Sequence, residues 1–447
     1  MTHLSNDFPK RSFAKKIVIS VLKPIGLFAP AKRLLNSLRF ARQVFRCRRE
    51  HARILKRIRS KPKNEKIKVL FLVGEPAKWK CQKLFEAMRA SGVFDPVVGL
   101  TAWNGQSEKF IPCDEDLDAF HKNAERFFDA LGDNHVRTYT LHPRRGLDLA
   151  AFSPDLVFYS EPWAPIPNQL PQRVSAFALP FFVPYFIPNF GHIPQESQLR
   201  FYRFLYGYFV LNKQWADLYR KASSFLTHGE KLLPLGHPAL DWYDGTDHAS
   251  SGKHVIYAPH FSFPFTYPKN RYIRPFSTFD WNGLEILNYA KSHPDFNWVF
   301  KPHPLLRGYL VESGTWTKEQ TDAYYKEWES LGTASYDGDY QKFFIDSRVL
   351  ITDSCSFLTE YAATGNPIIH LLRNDNGAVP LPPSKVVYDT YYKVYDLEEL
   401  FKTFKTVLED GIDPKRDERL SATRQAQIAE TNASANIVAY LCQLLER

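Results

Sequence analysis

Arg348-Val349-Leu350-Ile351-Thr352-Asp353-Ser354-Cys355-Ser356-Phe357-Leu358-Thr359-Glu360-Tyr361 changes its pattern halfway. Residues 348–352 form a short β-branched apolar run, the mark of a strand buried on both faces. Small hydroxyl residues and an acid then make a turn. From Phe357 to Ala363 the spacing becomes helical. A buried strand that turns directly into a helix is the unit of a parallel α/β sheet.

The same unit recurs on both sides. Upstream in the second half, 254–259 reads as a strand, 281–292 as a helix and 297–301 as a strand. Downstream, 367–371 is a further strand. In the first half, 66–73 is a strand ending at Gly74, 79–91 a helix, 94–100 a strand and 116–131 a helix. Residues 155–159 and 178–186 are later strands, the last broken by Pro180 and Pro184. Gly, Asp and Ser cluster between Gly236 and Gly252, which marks a junction. The expected fold is therefore α/β, two doubly wound Rossmann-like domains facing a cleft. Ligand is expected at the carboxyl ends of the strands. The boundaries read as 1–63, 64–240 and 241–447.

Composition supports folded domains. Of 447 residues, 44% are hydrophobic, 24% charged and 15% aromatic, which excludes disorder over most of the length. The net charge of +10 is unevenly spread. Residues 1–63 hold 18 Lys or Arg against Asp7 and Glu50, a net +16, and the remaining chain is left at −6. A nucleic-acid-binding body is thereby disfavoured, and no nucleic-acid partner is expected. Residues 31–58 read as a helix with Leu34, Leu35, Leu38, Ala41 and Phe45 on one face and arginines on the other. Such a helix suits an anionic membrane surface, where each Lys or Arg contributes about 1 kcal/mol. A helix packed on the body and an RNA-binding tail are the other readings. The latter lacks interleaved stacking aromatics.

The five cysteines, Cys47, Cys81, Cys113, Cys355 and Cys442, form no CxxC, no zinc pattern and no disulfide framework. That makes the cytosolic side the default. No apolar run reaches the ~20 residues that span a bilayer. Neither a GxGxxG nor a GxxxxGK[ST] motif occurs. Asp241 and Asp244 could imitate a metal pair, but nothing else supports one, and neither metal nor cofactor is expected.

Chemistry concentrates at strand ends. After 352 the helix start and the hydroxyls of Ser354 and Ser356 suit a phosphate, and Glu360 lies one turn in, where it could accept from a ribose. The same residues also suit ordinary helix capping with a surface acid. In Lys301-Pro302-His303-Pro304, two prolines fix a histidine at a strand end, and His303 with Lys301 could bind or protonate a diphosphate. A structural strand-end histidine is the alternative. His260 follows Ala258-Pro259, with Arg271 and Arg274 in the next loop. His192, in Asn189-Phe190-Gly191-His192, is the candidate general base, or else a surface loop histidine.

Three motifs taken together resemble the CDP-glycerol glycerophosphotransferases of teichoic-acid and capsule synthesis. They are Ala258-Pro259, Lys301-Pro302-His303-Pro304, and 352–362 read as Thr-Asp-x-Ser-Ser-x-x-x-[Asp/Glu]-Tyr-Ala. Residues 235–241, Leu-Gly-His-Pro-Ala-Leu-Asp, add a likeness at the junction. The resemblance covers 235–375 by motif and 66–235 by architecture alone. It implies a GT-B fold and a peripheral enzyme on the cytoplasmic face of the membrane. It also implies a CDP-linked nucleotide-diphosphate donor and a glycan or lipid-linked acceptor. His303 would then meet the donor diphosphate, Ser356 and the backbone at Cys355 would hold phosphate, and Glu360 the ribose. Cys355 stands where the family has a serine, Lys301 where it has arginine, and His260-Phe261 where it often has Thr-Trp-Arg. The family's His-Gly-Thr-Pro loop is absent; 189–194 occupies that region. A GT-B glycosyltransferase with a UDP- or CMP-linked sugar donor is compatible with the same residues. A nucleotide-sugar 2-epimerase and an inactive scaffold are further rivals.

Overall fold

The computed structural model describes residues 28–101, 114–140, 145–162, 166–187, 189–190, 200–222, 231–243, 252–262, 276–335, 340–374, 379–429 and 431–447. Two parallel sheets dominate them. The first contains β1 (Ile67–Val73), β2 (Phe94–Leu100), β3 (His135–Arg137), β6 (Leu156–Tyr159), β7 (Leu179–Phe182), β8 (Gly207–Val210) and β9 (Leu232–Pro234). Two short strands, β4 (Tyr139–Thr140) and β5 (Arg145–Gly146), pair separately as a hairpin. The first sheet runs β3-β2-β1-β6-β7-β8-β9. The second contains β10 (His254–Ala258), β11 (Asn297–Phe300), β12 (Thr333–Ala334), β13 (Ser347–Thr352), β14 (Ile368–Leu371) and β15 (Tyr392–Val394), in the order β12-β11-β10-β13-β14-β15.

Both orders reverse direction beside their first strand, at β1/β6 and at β10/β13. In an open α/β sheet those reversals open a crevice at the carboxyl ends of the strands. The inner strands are buried on both faces, as their continuous apolar runs predict; β6, for instance, has four buried residues in a row. Strand β7 is shorter than its apolar stretch and stops before Pro184. Pro180, inside it, gives no N–H, but its carbonyl accepts from Tyr206. The helix expected from Trp79 begins only at Gln82, because Pro76–Lys78 form a separate tight turn. That turn matters for the site.

The two halves are fused rather than merely linked. One apolar cluster runs from Leu70 and Val157 of the first sheet to Leu350 of the second and Leu358 of the helix that follows β13. The C-terminal helix Ala433–Leu445 returns to the first half, burying Ile437, Leu441 and Leu445 with Val69, Leu84 and Met88. Asp241 anchors this return. Its carboxylate accepts from the backbone N–H groups of Ala433 at 2.7 Å and Ser434 at 2.6 Å, and from the Thr431 hydroxyl at 2.8 Å. Gly236, at φ +97°, lets the helix approach closely, since a Cβ there would lie 2.6 Å from that of Ala433. Asp241 is thus a helix cap. Among the described residues no group of three His, Cys, Asp or Glu could hold a metal ion.

Within the basic segment, Phe28–Arg59 form a helix about 48 Å long at 1.5 Å per residue. Cys47, His51, Ile54 and Ile58 are its buried stripe. The Phe40 ring meets Phe204 edge-on, and Arg57 and Lys61 reach Asp155 at the amino end of β6. The helix therefore passes along the amino ends of the first sheet, the edge opposite the crevice. Leu38 and Phe45 lie on its other side, 55% and 65% exposed. Among the described residues no helix is long and apolar enough to cross a membrane.

Candidate functional site

The carboxyl ends of β10, β11 and β13 bring the second half's candidates together. Asp353, directly after β13, is buried. One carboxylate oxygen accepts from the His260 backbone N–H at 2.6 Å; the other accepts from the Thr278 N–H at 2.7 Å and its hydroxyl at 3.1 Å. Asp353 thus ties β13 to the loop after β10 and to the start of the helix Phe279–Ser292. Burial pushes its carboxyl up to about 7 against the pull of those donors.

His260 and His303 lie ring against ring, 5.0 Å between centroids. His260 is buried behind, its Nδ1 2.8 Å from the Ser262 hydroxyl, and burial holds it neutral, with a pKa of about 3. His303 is half-buried at the opening. Its Nδ1 accepts from the Leu305 N–H at 3.2 Å, which leaves the ring proton on Nε2. Burial, with the nearby His260, Lys78 and Lys301, holds its pKa well below the usual imidazole value. His303 is therefore a neutral donor through Nε2–H.

The turn after Asp353 is the wall beside them. Ser354 is buried, and its hydroxyl accepts from the Ser356 N–H at 3.2 Å. Cys355, Ser356 and Phe357 remain partly open. Burial pushes the Cys355 thiol up to about 11, so it is no thiolate at neutral pH. The following helix is only Leu358–Ala362. Asn189, from the loop after β7, clamps this turn from the first half. Its amide donates to the Cys355 carbonyl at 3.0 Å, and its side-chain oxygen accepts from the Thr359 hydroxyl.

Glu360 is buried and held from three directions. The Tyr340 hydroxyl lies 2.6 and 2.7 Å from its two oxygens and the Tyr243 hydroxyl 3.2 Å from one. Lys80 of the first half approaches the other oxygen at 3.3 Å. Lys80 and Lys301 both lie over the Tyr340 ring, at 4.0 and 5.2 Å from its centroid, and both are near Phe357.

The first half contributes a second charged group. Lys78 bridges Glu75 after β1 and Glu161 after β6, 2.7 Å from the latter. Burial opposes the charge on Lys78, but Glu161 and Glu75 outweigh it and hold its pKa above the ordinary lysine value. Lys78, Lys80, Glu75 and Glu161 were not singled out from sequence. Their signal was available: a Gly-Glu-Pro-Ala-Lys-Trp-Lys run, 74–80, directly after the first strand of a parallel sheet. Of the predicted residues, the structure brings together Lys301, His303, Cys355, Ser356 and Glu360, with His260 and Ser354 supporting them from behind. His192, Arg271 and Arg274 lie outside the described residues.

No family model matches the chain, and no curated protein matches it at a significant level. Solved structures do match. The wall teichoic acid polymerase TagF, in a form soaked with CDPG, aligns with a TM-score of 0.54 at 14% identity, covering 92% of this chain and 98% of that one. A UDP-GlcNAc 2-epimerase from Neisseria meningitidis, bound to UDP-GlcNAc, aligns at 0.46 and 14% identity, covering 85% and 100%. Likeness to the polymerase at this identity establishes architecture alone. Together with the two strand orders, it shows that the chain has the GT-B fold: two Rossmann-like domains facing a cleft, with a basic helical extension.

Proposed function

We propose that the chain is a membrane-surface transferase that moves a polyol phosphate from a nucleotide-diphosphate donor to a hydroxyl of a lipid-linked or growing cell-surface glycan. CDP-glycerol is the donor we assign. The observation that carries this reading is the convergence, at one sheet's carboxyl edge, of Lys301, the Nε2–H of His303 and the Cys355-Ser356 turn, with Glu360 close by. The CDPG soaked into the polymerase of the same fold supports the donor class.

In the reaction, the acceptor oxygen attacks the phosphorus that bears the polyol. The bond from that phosphorus to the bridging oxygen breaks, and CMP leaves with the electron pair. Lys301 and His303 stabilise the charge that develops on the diphosphate. Because His303 is already the Nε2–H tautomer, it donates without first gaining a proton. Burial is the main cause of its lowered pKa, with Lys78 and Lys301 adding to it; an incoming diphosphate offsets those two cations and so favours its protonation. We assign the acceptor proton to His192.

The N-terminal helix is the surface anchor in this scheme. Leu38 and Phe45 stand exposed on the side away from the body, and Arg39, Arg42, Arg46 and Arg49 are exposed beside them. Such a face suits an anionic bilayer. We place the enzyme on the cytoplasmic face of the membrane.

The test is thermal stabilisation of the full chain by CMP, CDP, CDP-glycerol, UMP, UDP and UDP-sugars, with His303→Ala beside it. A ligand at 100 times its Kd contributes about 2.7 kcal/mol. Cytidine-selective stabilisation that is lost in the variant is expected. Uridine selectivity would replace the polyol-phosphate reading by sugar transfer, and no response to any nucleotide would overturn both.

A further inference from the structure

We propose that Lys80 is a second diphosphate ligand, supplied by the opposite half of the cleft. When the donor enters, its ribose hydroxyls engage Glu360 in place of the ammonium group. Lys80 then joins Lys301, over Tyr340 and Phe357, to hold the diphosphate between the two domains. This rests on the reading that the cleft takes a nucleotide diphosphate.

Four observations carry the inference. First, Lys80 follows β1, the strand beside which the first sheet reverses its order, so it enters the cleft where a ligand is expected. Second, its ammonium converges with that of Lys301 on one pair of rings. Ammonium groups supplied by both domains to one pair of rings, beside the single carboxylate of Glu360, give the place a charge that suits a further anion. Third, Lys80 is the loosest partner of Glu360. Its contact is 3.3 Å, whereas a good ammonium–carboxylate hydrogen bond is about 2.7–2.9 Å. The carboxylate is oriented by Tyr340, which reaches both oxygens, and by Tyr243. Removing Lys80 from that shell leaves Glu360 aligned. Fourth, Lys80 is only 5% exposed, and burial depresses its pKa despite Glu360. An ammonium so placed gains from a second anion.

The arrangement explains how Glu360 can be both occupied and a ribose ligand. Its partner is a side chain able to move one contact away rather than a fixed backbone group. It also links donor binding to domain closure, because the diphosphate would be gripped by one lysine from each half.

The test is titration calorimetry of the full chain with inorganic pyrophosphate, CMP and CDP, for the wild type, Lys80→Met and Glu360→Gln. Wild type is expected to bind CDP more tightly than CMP. Lys80→Met should weaken CDP and pyrophosphate by tenfold or more while changing CMP less than threefold. Glu360→Gln should act with opposite signs: weaker CMP, through the ribose, but tighter pyrophosphate, because Lys80 is released from its carboxylate. A merely structural bridge would lower all three together, and that result in either variant overturns the proposal. If Lys80→Met does not fold, Glu360→Gln, which keeps the side chain's shape and an acceptor for Tyr340, decides alone. Wild type that binds neither nucleotide nor pyrophosphate overturns the proposed function along with this inference. Wild type that binds CDP with variants unchanged overturns only the role of Lys80.

Discussion

His370→Phe should make the protein markedly less sensitive to acid. His370 is 1% exposed on β14, and neither ring nitrogen has a hydrogen-bond partner. Phe190 stacks on it at 5.9 Å and Tyr388 meets it edge-on at 5.7 Å. Burial pushes its pKa down to about 3, and the same cause holds His51 and His260 at about 3. In the unfolded chain each titrates near 6.5. Below that value the unfolded state binds protons that the folded state refuses, so stability falls as pH falls, from about 6.5 down to about 3. At pH 5 the unfolded pKa is about 1.5 units above the pH, and 1.36 kcal/mol per unit gives about 2 kcal/mol for each histidine. Three such groups cost about 6 kcal/mol, against a typical total of about 5–15. Asp353 works the other way. Its folded pKa of about 7 exceeds its unfolded value, so the folded state gains protons first as pH falls, offsetting up to about 3 kcal/mol by pH 5. The net wild-type curve is therefore a sum of opposed contributions, and the difference between wild type and variant isolates one of them. Urea unfolding at pH 7.5 and pH 5 is the assay. Phenylalanine fits the aromatic surroundings and carries no proton, so the variant should lose about 2 kcal/mol less than wild type between the two pH values. Equal losses would show that His370 is not buried in the neutral form, and the reasoning would fail.

Asp241→Ala removes the acceptor for three donors at the start of the C-terminal helix and should cost about 2–3 kcal/mol, read as a lower urea midpoint. An unchanged midpoint would mean that the helix is held by its apolar face alone. Leu38→Asp with Phe45→Asp should lower flotation with anionic vesicles by tenfold or more, since burying each side chain is worth about 1.5–3 kcal/mol. Unchanged flotation would remove the exposed face from the anchoring scheme. Cys355, with its thiol at about 11, should alkylate slowly at pH 7.5 and faster as pH rises towards 10. A rapid reaction at neutral pH would contradict the raised thiol.

Much of this architecture was legible, for a physical reason. Strands buried on both faces carry short continuous apolar runs, as at Leu70 and Leu350, and alternating helices leave no choice but a parallel sheet. The second-half site was legible for the same reason: its residues follow a strand end within a few positions, and proline brackets His303. What is not legible arises from contacts distant in sequence. Nothing in the spacing of residues 433–445 shows that this helix leaves the second half to bury Ile437 against the first; only the meeting of Gly236 and Asp241 with Ala433 reveals it. The N-terminal helix was half legible. Its arginines and the stripe through Leu38 and Phe45 were visible, but a second stripe, Cys47-His51-Ile54-Ile58, docks on the sheet. Ile54 and Ile58 read as a weak continuation of the first stripe, but cysteine and histidine are weak markers of a buried face, so a separate docking stripe starting at Cys47 was not legible in a strongly charged segment. Lys80 shows the deeper limit. A lone lysine after a strand carries no signal of its own. Its meaning comes from Glu360, 280 positions later, and from the tyrosine ring that Lys301 shares with it. Sequence periodicity places residues on elements, whereas a cleft between domains is defined by which elements face each other. The half of the site that each domain contributes is therefore readable separately, and their charge balance is not.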